Sequence, residues 1–300
     1  MSRSDPFALR RADVRGTFDR AGASYESAAL LQANVGQELL DRLEPFDFAP
    51  TAVLDLGAGT GRLSAQLKRR YRRAQVIALD LAPGMLQQAE RHQGWRRRFA
   101  RICADAAALP LQAASIDVLF SNLMLQWCDP PDPVLAEARR VLKSGGFFAF
   151  STFGPDTLHE LRSAWGEDDG THVNRFLDMH DVGEALMRAG FAEPVLDVER
   201  TTVTYPDAFG LMHDLQAIGA HNVTAGRPRS LTGKGRLRRM LERYEAYRRD
   251  GRLPATYEVI YGAAWASRDR FEHLPSGSEL GTARGEVHIA PSQIRRRRPT

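Results

Sequence analysis

The sequence predicts an α/β fold: a mostly parallel sheet with helices on both faces, a helix ahead of it and a helical insertion near its end. From Ala52 to Phe153 short apolar runs alternate with helical patterns, the order that βα units stacked on one parallel sheet produce. A glycine-rich turn, Asp55-Leu-Gly57-Ala-Gly59-Thr-Gly61, falls between the first such run and the first helix, where open α/β sheets take their ligands. Two later β-patterned runs, Glu199 to Tyr205 and Thr256 to Trp265, flank about fifty residues of helical and loop character.

Taken in order, Ala28, Leu31, Val35, Leu39 and Leu43 recur at three-to-four spacing and predict an amphipathic helix over residues 24–44. Strands are predicted at 53–56, 76–80, 99–104, 116–122 and 147–153, and helices at 62–70, 83–91 and 132–142. Pro133 suits the first turn of the last of these, and Gly145-Gly146 is read as closing it. A helix over 181–189 stops at Gly190. The helical stretches 206–218 and 235–249, joined by a Gly/Pro-rich loop, make an insertion of useful size for a lid. Residues beyond Ser267 lack periodicity and read as a flexible basic tail. The organisation is therefore a leader (1–48), a core (49–205), a lid (206–254), a final core strand (255–267) and the tail (268–300).

Of 300 residues, 43% are hydrophobic and 26% charged, which excludes collagenous and wholly disordered chains. The net charge of +4 equals the contribution of Arg295 to Arg298 alone, so the remainder is nearly neutral and no nucleic-acid partner is implied. Lys68, Lys143 and Lys234 are the only lysines. Cys103 and Cys128 make no disulfide framework and lack metal-ligand spacing, so both read as buried small residues and no metal is expected. The N-terminal stretch has no apolar signal region and no segment approaches the ~18 apolar residues of a membrane span, so a cytoplasmic protein is expected.

The spacing of the turn narrows the ligand. A dinucleotide fingerprint needs a third glycine where this chain has Arg62. Instead the glycines stand at 57, 59 and 61 beside the anionic Asp55, an arrangement better suited to a cationic ligand than to a pyrophosphate. Asp80 ends the second strand, where a carboxylate accepts hydrogen bonds from both hydroxyls of an unphosphorylated ribose. Asp105 follows the third strand, placed to meet an adenine edge.

Over roughly residues 50 to 153 these features resemble the S-adenosyl-L-methionine-dependent methyltransferases of the seven-stranded Rossmann-like class. The resemblance implies that the glycine turn underlies the methionine part of the cofactor, Asp80 holds the ribose and Asp105 contacts the adenine. It also implies cofactor roles for Gln32, Asp55, Leu81, Ala106 and Asn122, and an antiparallel hairpin ending the sheet. The flanks are more specific. Phe18-Asp-Arg-Ala-Gly-Ala-Ser-Tyr25, Ser121 to Cys128, Leu158 to Trp165, His172-Val-Asn-Arg-Phe176, Ile218-Gly-Ala-His-Asn222, Leu231-Thr-Gly233 and Leu253-Pro-Ala-Thr-Tyr257 resemble the malonyl-acyl-carrier-protein O-methyltransferases of biotin synthesis, over residues 14 to 266.

That resemblance implies methyl transfer to the free carboxylate of a malonyl thioester on acyl carrier protein. The carboxylate is already ionised near neutral pH and needs no general base, so no catalytic side chain is assigned, and positioning alone is worth roughly 7–11 kcal/mol. Tyr25, Trp127, Arg162 and Asn174 are the candidates for orienting substrate. An acidic carrier protein suits a basic surface: Gly226 to Arg252 holds ten Arg or Lys against three acids, with Lys234, Arg236, Arg238 and Arg239 foremost. A monomer is expected. Gln216 stands where family members often have lysine, which keeps open two alternatives. One is a related factor for assembly of respiratory complex I, associated with arginine modification; the other is a carboxyl methyltransferase acting on another small acid. A non-enzymatic cofactor sensor is the third. A nucleic-acid methyltransferase finds no motif to support it.

Overall fold

Seven strands joined in one sheet organise the computed structural model, which describes residues 9–22, 25–94, 97–166, 176–219 and 233–266. They are β1 (Ala52–Leu56), β2 (Gln75–Asp80), β3 (Ala100–Cys103), β4 (Ile116–Asn122), β5 (Leu142–Phe153), β6 (Ala192–Tyr205) and β7 (Leu253–Ala266). Their order across the sheet is β3-β2-β1-β4-β5-β7-β6. The first five run parallel, and β7 lies antiparallel between β5 and β6. The strand order reverses between β1 and β4, which opens a crevice at their carboxyl ends.

The parallel strands were readable because both faces are covered, which turns them into continuous apolar runs rather than alternating ones. Val53, Val76, Val118 and Phe147 face one hydrophobic core, while their neighbours Leu54, Ile77, Leu119 and Phe148 face the other. The first core is closed by α3 (Leu30–Asp41), α4 (Arg62–Arg70), α7 (His159–Trp165), α9 (Ala208–Ala217) and α10 (Lys234–Glu245). The second is closed by α6 (Asp132–Val141) and α8 (Met179–Arg188). Each buried Leu or Phe side chain in these layers contributes about 1.5–3 kcal/mol relative to exposure.

Several local expectations change. Ahead of the predicted leader helix stands another, α1 (Arg11–Ala21), and the leader itself breaks at Ala29 into α2 (Tyr25–Ala28) and α3. Helix α5 (Pro83–Gln88) tightens into a single 3-10 turn at Ala89–His92. Gly145-Gly146 does not close α6 but lies inside β5, with Gly145 at φ +74° and an irregular register opposite Ile116 and Val118. Strand β6 is longer than predicted, because its half-buried and exposed residues alternate along an edge strand. Cys103 is exposed on the short edge strand β3 rather than buried. Among the described residues no helix is long and apolar enough to cross a membrane. The loop within the predicted lid and the predicted tail lie outside the described residues.

Candidate active site

The glycine turn leaves β1 with all three glycines at positive φ: +76° at Gly57, +54° at Gly59 and +73° at Gly61. They do different work. A Cβ on Gly57 would lie 2.3 Å from Met124 Cγ, and one on Gly61 would lie 2.7 Å from Ala89 Cβ. A Cβ on Gly59 would meet nothing within 4 Å. Two of the glycines therefore permit close packing, whereas Gly59 borders open space. The turn is held by Gly57 N and Ala58 N, which donate to Leu79 O at 2.8 and 3.0 Å. Gly59 N donates to Asp80 Oδ2 at 2.8 Å, and Ala82 N donates to Asp80 Oδ1 at 2.8 Å. One carboxylate thus braces the turn and the start of α5 together.

Beside this turn lies a cavity of about 160 Å³, whose walls include Tyr25, Gly59, Asp80, Leu81, Asp105, Ala106, Asn122 and Trp127. A smaller cavity of about 60 Å³ lies on the other side of the turn, walled by Glu26, Gln32, Asp55, Thr60 and Arg62 among others. Tyr25, Gly57, Gly59 and Asn122 belong to both. The pair forms an elongated site with one end over β2 and β3 and the other against α3 and the start of α4.

The electrostatics of the site come mainly from burial. Asp55 is 1% exposed, and burial pushes its carboxyl up to about 7; the Asp80 charge adds to this, while the Ser64 hydroxyl, donating at 2.5 Å, offsets part of it. Burial also raises the Asp80 carboxyl, against the lowering effect of the Ala82, Gly59 and Leu81 amides. Burial and the nearby Asp80 charge raise the Tyr25 hydroxyl, which keeps its proton at neutral pH. Glu26 is lowered: hydrogen bonds from His92 and Thr60 and the charges of His92 and Arg62 outweigh its burial. Gln32 Oε1 is buried with no hydrogen-bond partner, an acceptor left for a donor that the protein does not provide. Among the described residues no group of three or more His, Cys, Asp or Glu side chains is arranged to hold a metal ion.

Residues 54–150 match a family model described as a methyltransferase domain. A malonyl-[acyl-carrier protein] O-methyltransferase from Methylovorus sp. (strain MP688) is 53% identical over 283 residues, covering 91% of this chain and 95% of its own. One of the same name from Halorhodospira halophila is 46% identical over 301 residues, covering 99% and 100%. The chain belongs to the malonyl-[acyl-carrier protein] O-methyltransferase family. It is a methyltransferase with the class I fold. Of solved structures, a methyltransferase-like protein from Bacillus halodurans C-125 superposes with TM-score 0.57 at 17% identity, covering 77% of this chain and 98% of that one. The phosphoethanolamine N-methyltransferase 2 of Haemonchus contortus, solved with S-adenosyl-L-methionine, superposes with TM-score 0.53 at 20% identity, covering 83% and 57%. Both likenesses concern the fold.

Of the residues singled out from the sequence of this methyltransferase, Gln32, Asp55, Gly57, Gly59, Asp80, Leu81, Asp105, Ala106, Asn122, Tyr25 and Trp127 converge on the two cavities. Gly61 does not line them, because its job is the contact with Ala89. Asn122 lines both, but its amide is committed to protein: Nδ2 donates to Gln32 O at 3.0 Å and Oδ1 accepts from Ser151 Oγ at 2.8 Å. It therefore ties α3 to β4 and β5 at the site. Trp127 meets the edge of Phe18 at 5.1 Å between ring centroids.

Two elements expected at the site lie away from these cavities. Arg162 lines neither cavity; its guanidinium donates to Pro155 O at 2.8 Å and Thr157 O at 2.6 Å, fastening the turn that precedes α7. Among the described residues, none of the predicted lid lines the cavities either. The apolar side of α10 is spent on α7, and Tyr244 Oη donates to Pro254 O at 2.7 Å. Among the described residues the leader covers the site: Leu9, Arg11, Val14 and Phe18 wall the larger cavity, and Gly219 after α9 abuts Thr17, Phe18 and Ala21 behind it. These leader residues were missed because the charged text around them hides the short apolar stripe of Val14, Phe18 and Ala21; their three-to-four spacing was the available signal. Gln216 is exposed on α9 and lines neither cavity. Asn174 lies outside the described residues.

Proposed function

We propose that this protein transfers the methyl group of S-adenosyl-L-methionine to the free carboxylate of a malonyl thioester on acyl carrier protein, giving a methyl ester early in biotin synthesis. The observation that carries the cofactor reading is the orphaned acceptor Gln32 Oε1 at one end of an elongated site whose middle is the open side of Gly59. The relatives' shared name supports the choice of substrate. The donor set fits the cofactor. Gln32 Oε1 and Asp55 would hold its ammonium end, Asp80 would receive the ribose hydroxyls, and Leu81, Asp105 and Ala106 would take the base.

When bound, S-adenosyl-L-methionine supplies a methyl group made electrophilic by a positively charged sulfur. The protein supplies geometry. Tyr25, shared by both cavities and protonated at neutral pH, offers a hydroxyl donor that orients the malonyl carboxylate without neutralising it. Trp127, braced by Phe18, contributes an apolar wall that excludes water. No side chain has to remove a proton, because the attacking oxygen is already anionic. Roughly 7–11 kcal/mol of barrier reduction is available from alignment of oxygen, methyl carbon and sulfur.

The acidic carrier protein docks on α10, where Lys234, Arg238 and Arg239 are exposed and Arg236 is half-buried. The enzyme works as a cytoplasmic monomer. Expression of the wild-type chain in a biotin auxotroph that lacks its own malonyl methyltransferase restores growth without biotin, whereas Asp80→Ala does not. Failure of the well-expressed wild-type chain to restore growth counts against this function.

A further inference from the structure

Arg11, on the first turn of α1, enters the wall of the larger cavity from the leader. Its Nη1 lies 2.7 Å from Asp105 Oδ2, while Asp105 Oδ1 accepts from Ala107 N at 2.9 Å. The Arg11 side chain is 66% exposed, so as a structural ion pair it contributes little. Its place in the site gives it another use. Each carboxylate oxygen has two acceptor positions, so with one contact made on each, Asp105 still has acceptor capacity at the cavity wall. The two protein donors fix where that capacity points.

We propose that Arg11 is a positioning residue for recognition of the nucleoside base: it holds the Asp105 carboxylate so that it accepts from the exocyclic amino group of adenine. The proposal rests on the reading of the larger cavity as a nucleoside site. The leader thereby takes part in base selectivity rather than merely covering the cavity. It is fixed for this role by Asp19 Oδ1, which accepts from Gly84 N at 2.9 Å, and by the Phe18–Trp127 edge contact. A base bearing a carbonyl in place of the amino group sets an acceptor against Asp105 at that position, and its N1–H donor lies one ring position away from where Arg11 aims the carboxylate.

Calorimetric Kd values for S-adenosylhomocysteine and S-inosylhomocysteine on the full chain separate this role from a structural one. The wild type binds the adenosyl ligand at least about tenfold more tightly than the inosyl ligand. Arg11→Ala weakens the adenosyl ligand about tenfold and changes the inosyl ligand by less than about twofold, so selectivity collapses; Arg11→Lys, which retains the charge but not the fork, restores part of it. Arg20→Ala, exposed in the last turn of the same helix, leaves both constants unchanged. Equal weakening of both ligands by Arg11→Ala, no change, or tighter adenosyl binding overturns the proposal. A wild type that binds neither ligand overturns the nucleoside reading itself, and the proposal with it.

Discussion

Gly59→Ala separates the ligand's space from the protein's. Its φ of +54° is a left-handed conformation that costs a residue with a Cβ about 1–2 kcal/mol. Loss of unfolded-chain freedom returns about 0.4–1 kcal/mol. No packing penalty is added, because nothing lies within 4 Å of the new methyl. The net cost is about 1 kcal/mol, a fall in Tm of about 2–4 °C for a chain of this size. A ligand seated against Gly59 must instead absorb the methyl, an overpacking of about 2 kcal/mol and hence a rise of about 30-fold in Kd. Titration calorimetry with S-adenosylhomocysteine and a thermal melt of the free protein measure the two effects on one sample. Gly57→Ala is the contrast: its methyl would lie 2.3 Å from Met124 Cγ, so its Tm falls further. Unchanged affinity in a folded Gly59→Ala protein refutes the placement of the cofactor over this turn.

Further outcomes concern charge. Because burial raises the Asp55 carboxyl to about 7, a cationic amino-acid end binds more tightly as pH rises from 6 to 8; calorimetry over that range shows this in the wild type and a flatter profile in Asp55→Asn. The same raised value means that the folded chain holds this proton more firmly than the unfolded chain. The stability it contributes is present below the ordinary value of 3.8 and lost as pH rises toward about 7, so melts show Asp55→Asn gaining on the wild type at pH 8 relative to pH 4. Reversing Lys234 and Arg239 to Glu raises KM for the carrier-linked substrate several-fold and leaves KM for malonyl-coenzyme A unchanged in steady-state assays; parallel increases refute docking on α10. Arg162→Ala loses two charged hydrogen bonds and about 2 kcal/mol of stability in denaturant titration, while KM for malonyl substrate stays within about twofold.

The sheet and the cavities beside the glycine turn were legible because physics leaves few choices there. A doubly covered parallel strand must be apolar throughout, and acids at strand ends beside a glycine turn mark the crevice. The letters did not show how the glycines divide their work: Gly57 and Gly61 look the same as Gly59, yet Met124 and Ala89 fill the space beside the first two and leave the third open. The bonds of Arg162 were not legible, because its partners are the carbonyls of Pro155 and Thr157, and a backbone acceptor has no signature in side-chain pattern. The packing of the two described lid helices was hidden for a related reason. Amphipathicity in α9 and α10 announced a buried face, but not that Leu211, Met240 and Tyr244 would spend it in the core beside α7 and the sheet. Among the described residues α1 lines the larger cavity, and its eleven residues bury only Val14, Thr17 and Ala21 and so present a thin pattern.

Mass spectrometry of malonyl-acyl carrier protein after incubation with this protein and S-adenosyl-L-methionine carrying a deuterated methyl group tests the reaction most directly. Methyl transfer to the carboxylate adds one labelled methyl to the malonyl arm, and mild alkaline hydrolysis releases it as an ester. An unchanged mass with folded, cofactor-binding enzyme, or label found on a protein side chain instead, contradicts carboxylate methylation.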